Sequence, residues 1–336
     1  MIEILECPMP ASFQDAGRPG YRHLGVPLSG ALDPEWLAIA NALVGNPWPA
    51  VALEMHLLGP RMRATMPLTI ALAGEFSARI EDAAGRSRHA GNWSSHTLAA
   101  DEVLVIGSVR SGIGYLAAHG GFEVPQVLGS SSTYARAGIG GIEGRALRAG
   151  DRLKLGAAGS PVSLRLPQPP VIDDGPLRVI PGPQREYFTD GAWGCFVGEE
   201  FTVGREADRM GLRLDGPRLE HDPARGADIV SDAVTPGAIQ VPGDGRPIVL
   251  LADCQTVGGY PKIATVIAAD LPRLGHALPG QRLRFVKVTI EQALAARRHA
   301  AATLAERIAT LAPSTMGLDL EALYTANLID GVIDAH

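Results

Sequence analysis

Short apolar runs of strand length recur along most of the chain, and turn residues bound them. They lie at residues 68–72, 103–106, 152–155, 248–251 and 282–285. Several alternate apolar with polar side chains, the pattern of a strand with one buried face. The 40 glycines and 26 prolines lie largely between such runs. Many short strands with frequent turns favour barrels or sandwiches, so the sequence predicts a mainly β fold.

Two amphipathic helices interrupt the strand pattern. Asp33 is suited to cap the first helix, which favours a structural over a catalytic role, and Gly45-Asn46 provides its stop. The second helix begins after Thr289, with Gln292 placed to complete a capping box. Its apolar positions fall on one predicted stripe: Ile290, Leu294, Ala301, Leu304, Ile308 and Leu311.

A proline-rich stretch at residues 166–176 divides the chain almost in half. Clustered prolines remove backbone donors, so this stretch is predicted to run outside both cores as a linker. The predicted units are residues 1–166 and 177–312, followed by a tail at 313–336. The tail is rich in apolar residues from Leu318 onwards, so it is predicted to pack on the protein body or on a second copy.

Composition excludes several classes of partner. The formal net charge of −6 gives no basic field for nucleic acid or for an anionic membrane. No run approaches the roughly 18 apolar residues that span a bilayer, and the acidic amino terminus is a poor signal peptide. The expected location is the cytoplasm. The histidines and cysteines show no ligand spacing, so no metal site is expected.

Several motifs, in order along the chain, carry a family resemblance. In the first half they are Phe-Gln-Asp-Ala-Gly-Arg at 13–18, the segment 25–33, Ala-Asn-Ala-Leu-Val-Gly-Asn at 40–46 and Ala-Leu-Glu at 52–54. In the second half they are Arg-Met-Gly-Leu-Arg-Leu at 209–214, the segment 236–242 and Asp-Cys-Gln-Thr-Val-Gly-Gly-Tyr-Pro-Lys at 253–262. Together they resemble the family variously called the 5-oxoprolinase C subunit, allophanate hydrolase subunit 2 or urea amidolyase-related carboxyltransferase.

The resemblance implies a fold of two tandem cyclophilin-like β-barrel subdomains, A at 1–166 and B at 177–312. It also implies two partners: a sister carboxyltransferase-type subunit similar to allophanate hydrolase subunit 1, and a subunit of the lactam-utilisation type. A homo-oligomer is a further arrangement that the sequence leaves open. The expected substrate is a small molecule.

The function implied first is that of a subunit of an ATP-dependent 5-oxoprolinase, with ATP bound on, or shared with, a partner subunit. The first alternative is biotin-dependent carboxyl transfer to a urea-like substrate. Its biotin would come from another chain, because no lysine follows a methionine here. The second alternative is a non-catalytic regulatory protein that binds the sister subunit.

The most site-like cluster follows the apolar run at 248–251: Gln255, Thr256, Gly258, Gly259 and Tyr260. Glycines let backbone amides approach a ligand closely, while glutamine and threonine offer donors and acceptors. Gln255, Thr256 and Tyr260 are therefore catalytic candidates, and the two glycines are substrate-binding candidates. A tight turn that satisfies its own backbone is the alternative interpretation.

A second candidate cluster lies near the amino terminus. Arg18 can bind a carboxylate with two hydrogen bonds, and Asp15 is suited to orient it or to serve as a base. Gln14 joins them as a substrate-binding candidate. A structural Asp–Arg pair that closes a turn is equally compatible with this spacing.

Glu54 ends an apolar stretch and is a candidate general base with a pKa raised by burial, or else a partner of turn amides. Arg209, Gln240 and Lys262, which belong to the shared motifs, are the remaining substrate-binding candidates. The chain departs from the family pattern at three positions, where the family usually has Ser, Tyr and Thr: Ala207, Leu212 and Val257.

Overall fold

The computed structural model describes residues 1–157 and 159–314. Its strands in the first half are β1 (Ile2–Glu6), β2 (Ala11–Gln14), β3 (Ala52–Leu58), β4 (Arg61–Ala64), β5 (Leu68–Ala73), β6 (Phe76–Glu81), β7 (Ser87–His89), β8 (Ser94–Leu98), β9 (Val103–Ala118), β10 (Arg152–Leu153) and β11 (Leu164–Arg165). Those that follow are β12 (Leu177–Pro181), β13 (Phe201–Asp208), β14 (Gly211–Asp215), β15 (Asp232–Ala233), β16 (Ala238–Gln240), β17 (Ile248–Leu250), β18 (Val257–Gly258), β19 (Lys262–Val266), β20 (Arg282–Leu283), β21 (Phe285–Lys287) and β22 (Ala312–Pro313). The helices are α1 (Pro34–Leu43), α2 (Asp190–Gly198), α3 (Leu271–Gly275) and α4 (Ile290–Ala309).

Two sheets follow one another along the chain, so the predicted mainly β class is confirmed. The first runs in the order β10-β1-β4-β9-β5-β8-β11-β22, with β2, β3, β6 and β7 attached through β3 and β6 to β9, and it curls into a nearly closed barrel. The second runs β20-β13-β14-β17-β16-β19-β12-β21. A separate short ribbon pairs β15 with β18. All five predicted runs contain strand, although the run at 282–285 divides between β20 and β21.

The long strand β9 is the backbone of the first sheet. Its first part pairs with β4 and β6, and its second part pairs with β3 and β5. Gly112 lies between the two parts with a φ of 76°, and a Cβ there would lie 2.9 Å from the carbonyl oxygen of His276. The glycine therefore lets β9 turn where the second half of the chain packs against it.

The two halves share one apolar core. A first cluster fills the barrel of the first half, whereas a second cluster joins α1 and the adjoining strands to the inner face of the second sheet. Trp36, Leu37 and Ile39 of α1 belong to the shared cluster with Phe196 and Phe285 of the second half. Continuous apolar burial of this kind fixes how the two halves sit against each other.

Both predicted helix starts are confirmed. The side chain of Asp33 accepts hydrogen bonds from the backbone N–H groups of Glu35 and Trp36. Thr289 and Gln292 form the reciprocal capping box of α4. The predicted apolar stripe of α4 is only partly correct, because Ile290 and Leu294 are 62% and 48% exposed. The later members pack against the shared core: Leu304, Ile308 and Leu311.

Residues 166–176, all of them described, contain neither helix nor strand. The prediction that they run outside both cores is wrong at Leu166, which is buried in the shared cluster, and Ile172 packs against the same cluster. After α4 the chain returns to the first sheet, where Pro313 of β22 pairs with Leu164 of β11. The boundary predicted at residue 312 therefore falls inside a strand. The expectation for the tail lies, from residue 315 onwards, outside the described residues. Across the described ranges, none of the helices combines the length and apolar character needed to cross a bilayer.

Candidate active site between the two halves

A cavity of about 450 Å³ opens where the two halves meet. Its volume lies in the range of small-molecule sites. Apolar residues line much of it, including Leu32 and Leu57 of the first half and Met210 and Leu251 of the second. The polar lining comes from both halves: Ser12, His56, Thr133, Tyr134, Arg136, Arg205, Asp208, Arg209 and Asp253. An apolar cavity with a few convergent polar groups is the usual form of a binding site for a small molecule.

Arg209 joins the two halves at one wall of this cavity. It lies in the turn between β13 and β14, and its guanidinium donates to a carboxylate oxygen of Glu54 on β3. Its Nη2 also donates to the carbonyl oxygen of Gly30 at 2.6 Å, and its Nε donates to Asp253 at 2.9 Å. Arg209 is thus held between two carboxylates. Burial lowers its pKa, but Glu54 and Asp253 raise it further, so the pKa lies above its ordinary value and the side chain stays charged.

Glu54 is fully buried and accepts hydrogen bonds from several directions. The backbone N–H of Leu32 donates at 2.9 Å and the hydroxyl of Tyr115 donates at 2.6 Å. His56 Nε2 lies 3.1 Å from its other oxygen. Burial raises the pKa of Glu54, but Arg209 and His56 lower it by more, so the pKa lies well below its ordinary value. The predicted raised pKa is therefore wrong, because the sequence did not show the guanidinium that reaches Glu54 from the second half.

Asp253 and Tyr134 also belong to the polar lining of the cavity. Asp253 is 7% exposed and pairs with Arg209. Burial raises the pKa of Tyr134, and the nearby Asp253 adds to this effect. Neither residue was among the candidates derived from the sequence. For Asp253 the available signal was proximity along the chain, since it lies two positions before the candidate Gln255. His56, another lining residue outside the candidates, likewise lies two positions after Glu54.

One cluster of candidates binds the neighbouring loop at residues 127–133. It consists of Gln14, Asp15 and Arg18. Asp15 accepts from the N–H of Gly17 at 2.8 Å, the hydroxyl of Ser130 at 2.6 Å, the N–H of Ser131 at 2.6 Å and the hydroxyl of Ser132 at 2.5 Å. Both carboxylate oxygens of Asp15 therefore accept hydrogen bonds from the loop that contains Ser130, Ser131 and Ser132. In these contacts neither oxygen binds Arg18.

Arg18 is fully buried and donates to the carbonyl oxygens of Val127 and Ser132. Burial lowers its pKa. Gln14, also fully buried, donates to the carbonyl oxygen of Thr133 at 3.3 Å. These three candidates consequently fix residues 127–133, and that loop continues directly into Thr133 and Tyr134 of the cavity wall.

The remaining candidates form a second group beside the ribbon of β15 and β18. Gln255 Nε2 donates to Gln240 Oε1 at 3.2 Å, and Gln240 Nε2 lies 3.4 Å from the carbonyl oxygen of Tyr260. Lys262 is buried, and its Nζ donates to Asp232 at 2.8 Å. In the part of the chain that the structure describes, the cavity lining extends to Asp253 but not to this ribbon group.

The backbone of the ribbon group is tied to both halves. The carbonyl oxygen of Thr256 accepts from Val234, and that of Gly259 accepts from Ile229. Arg22, from the first half, donates to the carbonyl oxygen of Gln255 at 3.3 Å. Gly258 packs closely on Gln240, since a Cβ there would lie 2.4 Å from Gln240 Nε2.

The surface of the ribbon group is partly apolar. Val257 and Tyr260 are 56% and 41% exposed. Apart from the cluster of Gln14, Asp15 and Arg18, the candidate residues divide into a cavity group (Glu54, Arg209 and the added Asp253) and the ribbon group. Along the chain, only Cys254 separates Asp253 from Gln255.

Positions 207 and 212, where the chain departs from the family pattern, are cross-strand partners in β13 and β14. Ala207 and Leu212 both line the cavity. The cavity therefore lacks two hydroxyl groups that the family pattern provides there. Among the described residues, no group of three or more His, Cys, Asp or Glu side chains is arranged to hold a metal ion.

The sequence matches the family described as "Carboxyltransferase domain, subdomain A and B" over residues 24–287. It is 37% identical over 302 residues to the C subunit of 5-oxoprolinase from Escherichia coli K12, covering 89% of this chain and 94% of that protein. It is 35% identical over 299 residues to the C subunit of 5-oxoprolinase from Haemophilus influenzae, with the same coverage of 89% and 94%.

The fold is similar to that of a crystal structure of Kluyveromyces lactis urea carboxylase. The TM-score is 0.84 at 27% sequence identity, and the match covers 91% of this chain. It covers only 29% of that much longer chain. The similarity therefore concerns one part of a large protein.

Proposed function

This chain belongs to the carboxyltransferase family of subdomains A and B, and on that premise we propose that it is a subunit of an ATP-dependent 5-oxoprolinase. The reaction converts 5-oxo-L-proline, ATP and two molecules of water to L-glutamate, ADP and phosphate. One observation carries the proposal: the similarity to the C subunit of E. coli 5-oxoprolinase extends over 89% of this chain and 94% of that protein. The urea carboxylase match, in contrast, covers a minor part of its partner.

The chemistry explains why such a subunit works within a complex. A lactam is a poor electrophile with a poor leaving group. Transfer of a phosphoryl group from ATP to the lactam oxygen activates the ring carbonyl carbon toward attack by water. This chain's share is to bind and orient the substrate in the cavity between its halves. The charged Arg209 and the N–H and O–H donors nearby give that cavity fixed dipoles of the kind that stabilise developing charge.

ATP is assigned to a partner subunit or to an interface with one. The chain has no P-loop signature. The cavity lining of this chain also lacks a glycine-rich run of backbone N–H groups. A carboxylate cluster for a divalent ion is likewise missing from the described ranges. The sister carboxyltransferase-type subunit and the lactam-utilisation subunit are the proposed partners.

The proposal is tested by reconstitution. The three purified subunits are combined with 5-oxo-L-proline and ATP, and released glutamate is measured. The expected result is ATP-dependent glutamate release that requires this chain. Release at an unchanged rate when this chain is omitted would refute the proposal. In the same assay, replacing Gln255 and Tyr260 together by alanine is expected to lower turnover while the subunits still co-elute.

Biotin-dependent carboxyl transfer to a urea-like substrate is the second candidate, because the fold matches that of K. lactis urea carboxylase. It requires carboxybiotin from another chain and a base to deprotonate the acceptor. Addition of avidin separates the two candidates. Turnover that avidin leaves intact supports 5-oxoprolinase chemistry, and turnover that avidin abolishes supports carboxyl transfer.

A further inference from the structure

Two arginines reach the cavity from opposite halves without an ion-pair partner. Arg136 of the first half and Arg205 of the second are exposed, and both line the cavity. Across residues 1–157 and 159–314, the ion pairs within 4.0 Å and the side-chain hydrogen bonds include neither. The other cations of the two candidate groups are engaged: Arg209 with two carboxylates and Lys262 with Asp232. Arg136 and Arg205 are therefore the cations available to a ligand.

Arg136 is held at the tip of a rigid turn. Residues 135–137 form a single turn of 3-10 helix, closed by Gly138 with a φ of 64°. Tyr134 and Ile139 flank this turn and exchange backbone hydrogen bonds of 2.8 and 3.2 Å. The turn continues from the loop that Asp15 and Arg18 fix in place. The backbone that presents Arg136 is thus anchored, while its side chain remains free.

Arg205 lies in an irregular part of β13. Val203 pairs with Leu214 and Ala207 pairs with Leu212, so four residue steps on β13 oppose two on β14. Extra residues of this kind form a bulge, which turns side chains away from the regular alternation and is frequent beside binding sites. The bulge therefore provides a structural reason for Arg205 to be directed into the cavity.

We propose that Arg136 and Arg205 together bind the carboxylate of the substrate, one from each half of the chain; this inference rests on the proposed function. Guanidinium groups bind carboxylates through paired, charge-assisted hydrogen bonds. Two cations facing one cavity repel each other unless an anion lies between them. The substrate class is thus a small ring that carries a carboxylate, and not a neutral urea-like molecule.

Asp208 supports this assignment from the same wall. Its Oδ1 accepts from the backbone N–H groups of Met210 and Gly211 at 2.7 and 3.2 Å, which fixes the side chain. The Oδ2 atom of Asp208 remains available to accept a hydrogen bond from an N–H group of a ligand. A cavity with two free cations and a fixed acceptor matches a molecule that carries both a carboxylate and an amide N–H, as 5-oxo-L-proline does.

The experiment uses the reconstituted complex with Arg136→Ala, Arg205→Ala and the double variant. The matched control is Arg152→Ala, which changes an exposed arginine outside the cavity lining. Each single variant is expected to raise the KM for 5-oxo-L-proline on the order of 10- to 100-fold, the usual effect of losing a hydrogen bond to a charged group. The KM for ATP and the behaviour of the control are expected to stay within twofold.

A neutral competitor separates carboxylate binding from a general structural effect. The wild-type complex is expected to bind 2-pyrrolidinone, which lacks the carboxylate, more weakly than 5-oxo-L-proline. In the double variant the two affinities are expected to converge. An unchanged KM for 5-oxo-L-proline in the double variant would overturn the proposal. A rise confined to the KM for ATP would also overturn it, because the arginines would then bind phosphate.

Failure of the proposed function is distinguishable from failure of the carboxylate site. If the wild-type complex releases no glutamate, calorimetric titration of the purified chain with the same two lactams still tests the site. Binding of 5-oxo-L-proline that the double variant loses would support the arginine site even then. Equal binding by the wild type and the double variant would remove the site whether or not turnover occurs.

Discussion

His276 Nε2 lies 2.8 Å from Oδ2 of Asp33, which joins the second half of the chain to the residue that caps α1 in the first. The Nδ1 of His276 lies 2.8 Å from the carbonyl oxygen of Ser111. Both side chains are 4% exposed. Each ring nitrogen faces an oxygen atom of the first half. The imidazole therefore bridges the two halves at a buried position.

Replacing His276 by alanine is expected to lower the free energy of unfolding by about 1–3 kcal/mol, because Asp33 would remain buried without this hydrogen-bond partner. Urea denaturation followed by tryptophan fluorescence measures the change, and Trp36 lies close to the His276 ring. The control is His299→Ala on the exposed face of α4, for which a change below about 0.5 kcal/mol is expected. Equal effects of the two substitutions would contradict a stabilising contact between His276 and Asp33.

Replacing Glu54 by glutamine is expected to destabilise the protein by about 3–5 kcal/mol at pH 7, because Arg209 loses a buried partner. The difference from wild type is expected to shrink in acid. The pKa of Glu54 is lowered in the folded state, so the unfolded chain takes up the proton first as pH falls. The stabilisation is complete above about pH 5, and it declines as pH falls below the unfolded value of about 4.3 towards the lower folded pKa.

The measurement is urea denaturation of wild type and Glu54→Gln between pH 7 and pH 3. Glu123→Gln, at an exposed position, is the control for loss of one surface carboxylate. A constant difference between wild type and Glu54→Gln across this range would show that Glu54 is not the source of the pH dependence.

The pair of Lys262 and Asp232 is expected to respond asymmetrically to mutation. The Lys262 side chain is 3% exposed and that of Asp232 is 50% exposed. Asp232→Ala would leave a buried ammonium without its partner, with an expected cost of about 1–3 kcal/mol. Lys262→Met would leave a carboxylate that water can solvate, with an expected change below about 1 kcal/mol. Thermal unfolding of the two variants measures the difference, and the reverse order would contradict the burial of Lys262.

The two glycines of the ribbon group provide another matched pair. A Cβ on Gly258 would lie 2.4 Å from Gln240 Nε2, whereas the nearest atom to a Cβ on Gly259 would be 3.6 Å away. Gly258→Ala is expected to displace the Gln240 side chain and break its hydrogen bond to Gln255. Gly259→Ala is expected to be tolerated. The measurement is turnover and co-elution of the reconstituted complex with each variant. If the ribbon takes part in catalysis, Gly258→Ala lowers turnover severalfold and both variants still assemble; equal turnover argues against that role.

Local sequence signals predicted the local structure well. The caps at Asp33 and Thr289, the lack of helix and strand at 166–176 and the strand-length runs all appear as expected, because each depends on residues a few positions apart. The apolar stripe of α4 was predicted less well. Helical periodicity shows which side chains share a face, but only the packing of the whole molecule decides how much of that face is covered, and Ile290 remains exposed.

The candidate site was predicted only in part. Asp15 and Arg18 both bind the loop at 127–133, but Asp15 contacts Ser130 and Ser132 instead of pairing directly with Arg18. The cavity, and the presence of Arg136 and Arg205 in its wall, had no signal in the sequence. Their grouping depends on a bulge, a 3-10 turn and the contact between two halves.

The sequence by itself determined the mainly β class, the two helix starts and the family. The tertiary structure alone decided the charge state of Glu54 and the composition of the cavity. The physical reason is distance along the chain: caps and turns are formed by neighbouring residues, whereas Glu54 and Arg209 are 155 positions apart. Their electrostatic interaction exists only because burial of the shared apolar core brings two separate sheets into contact.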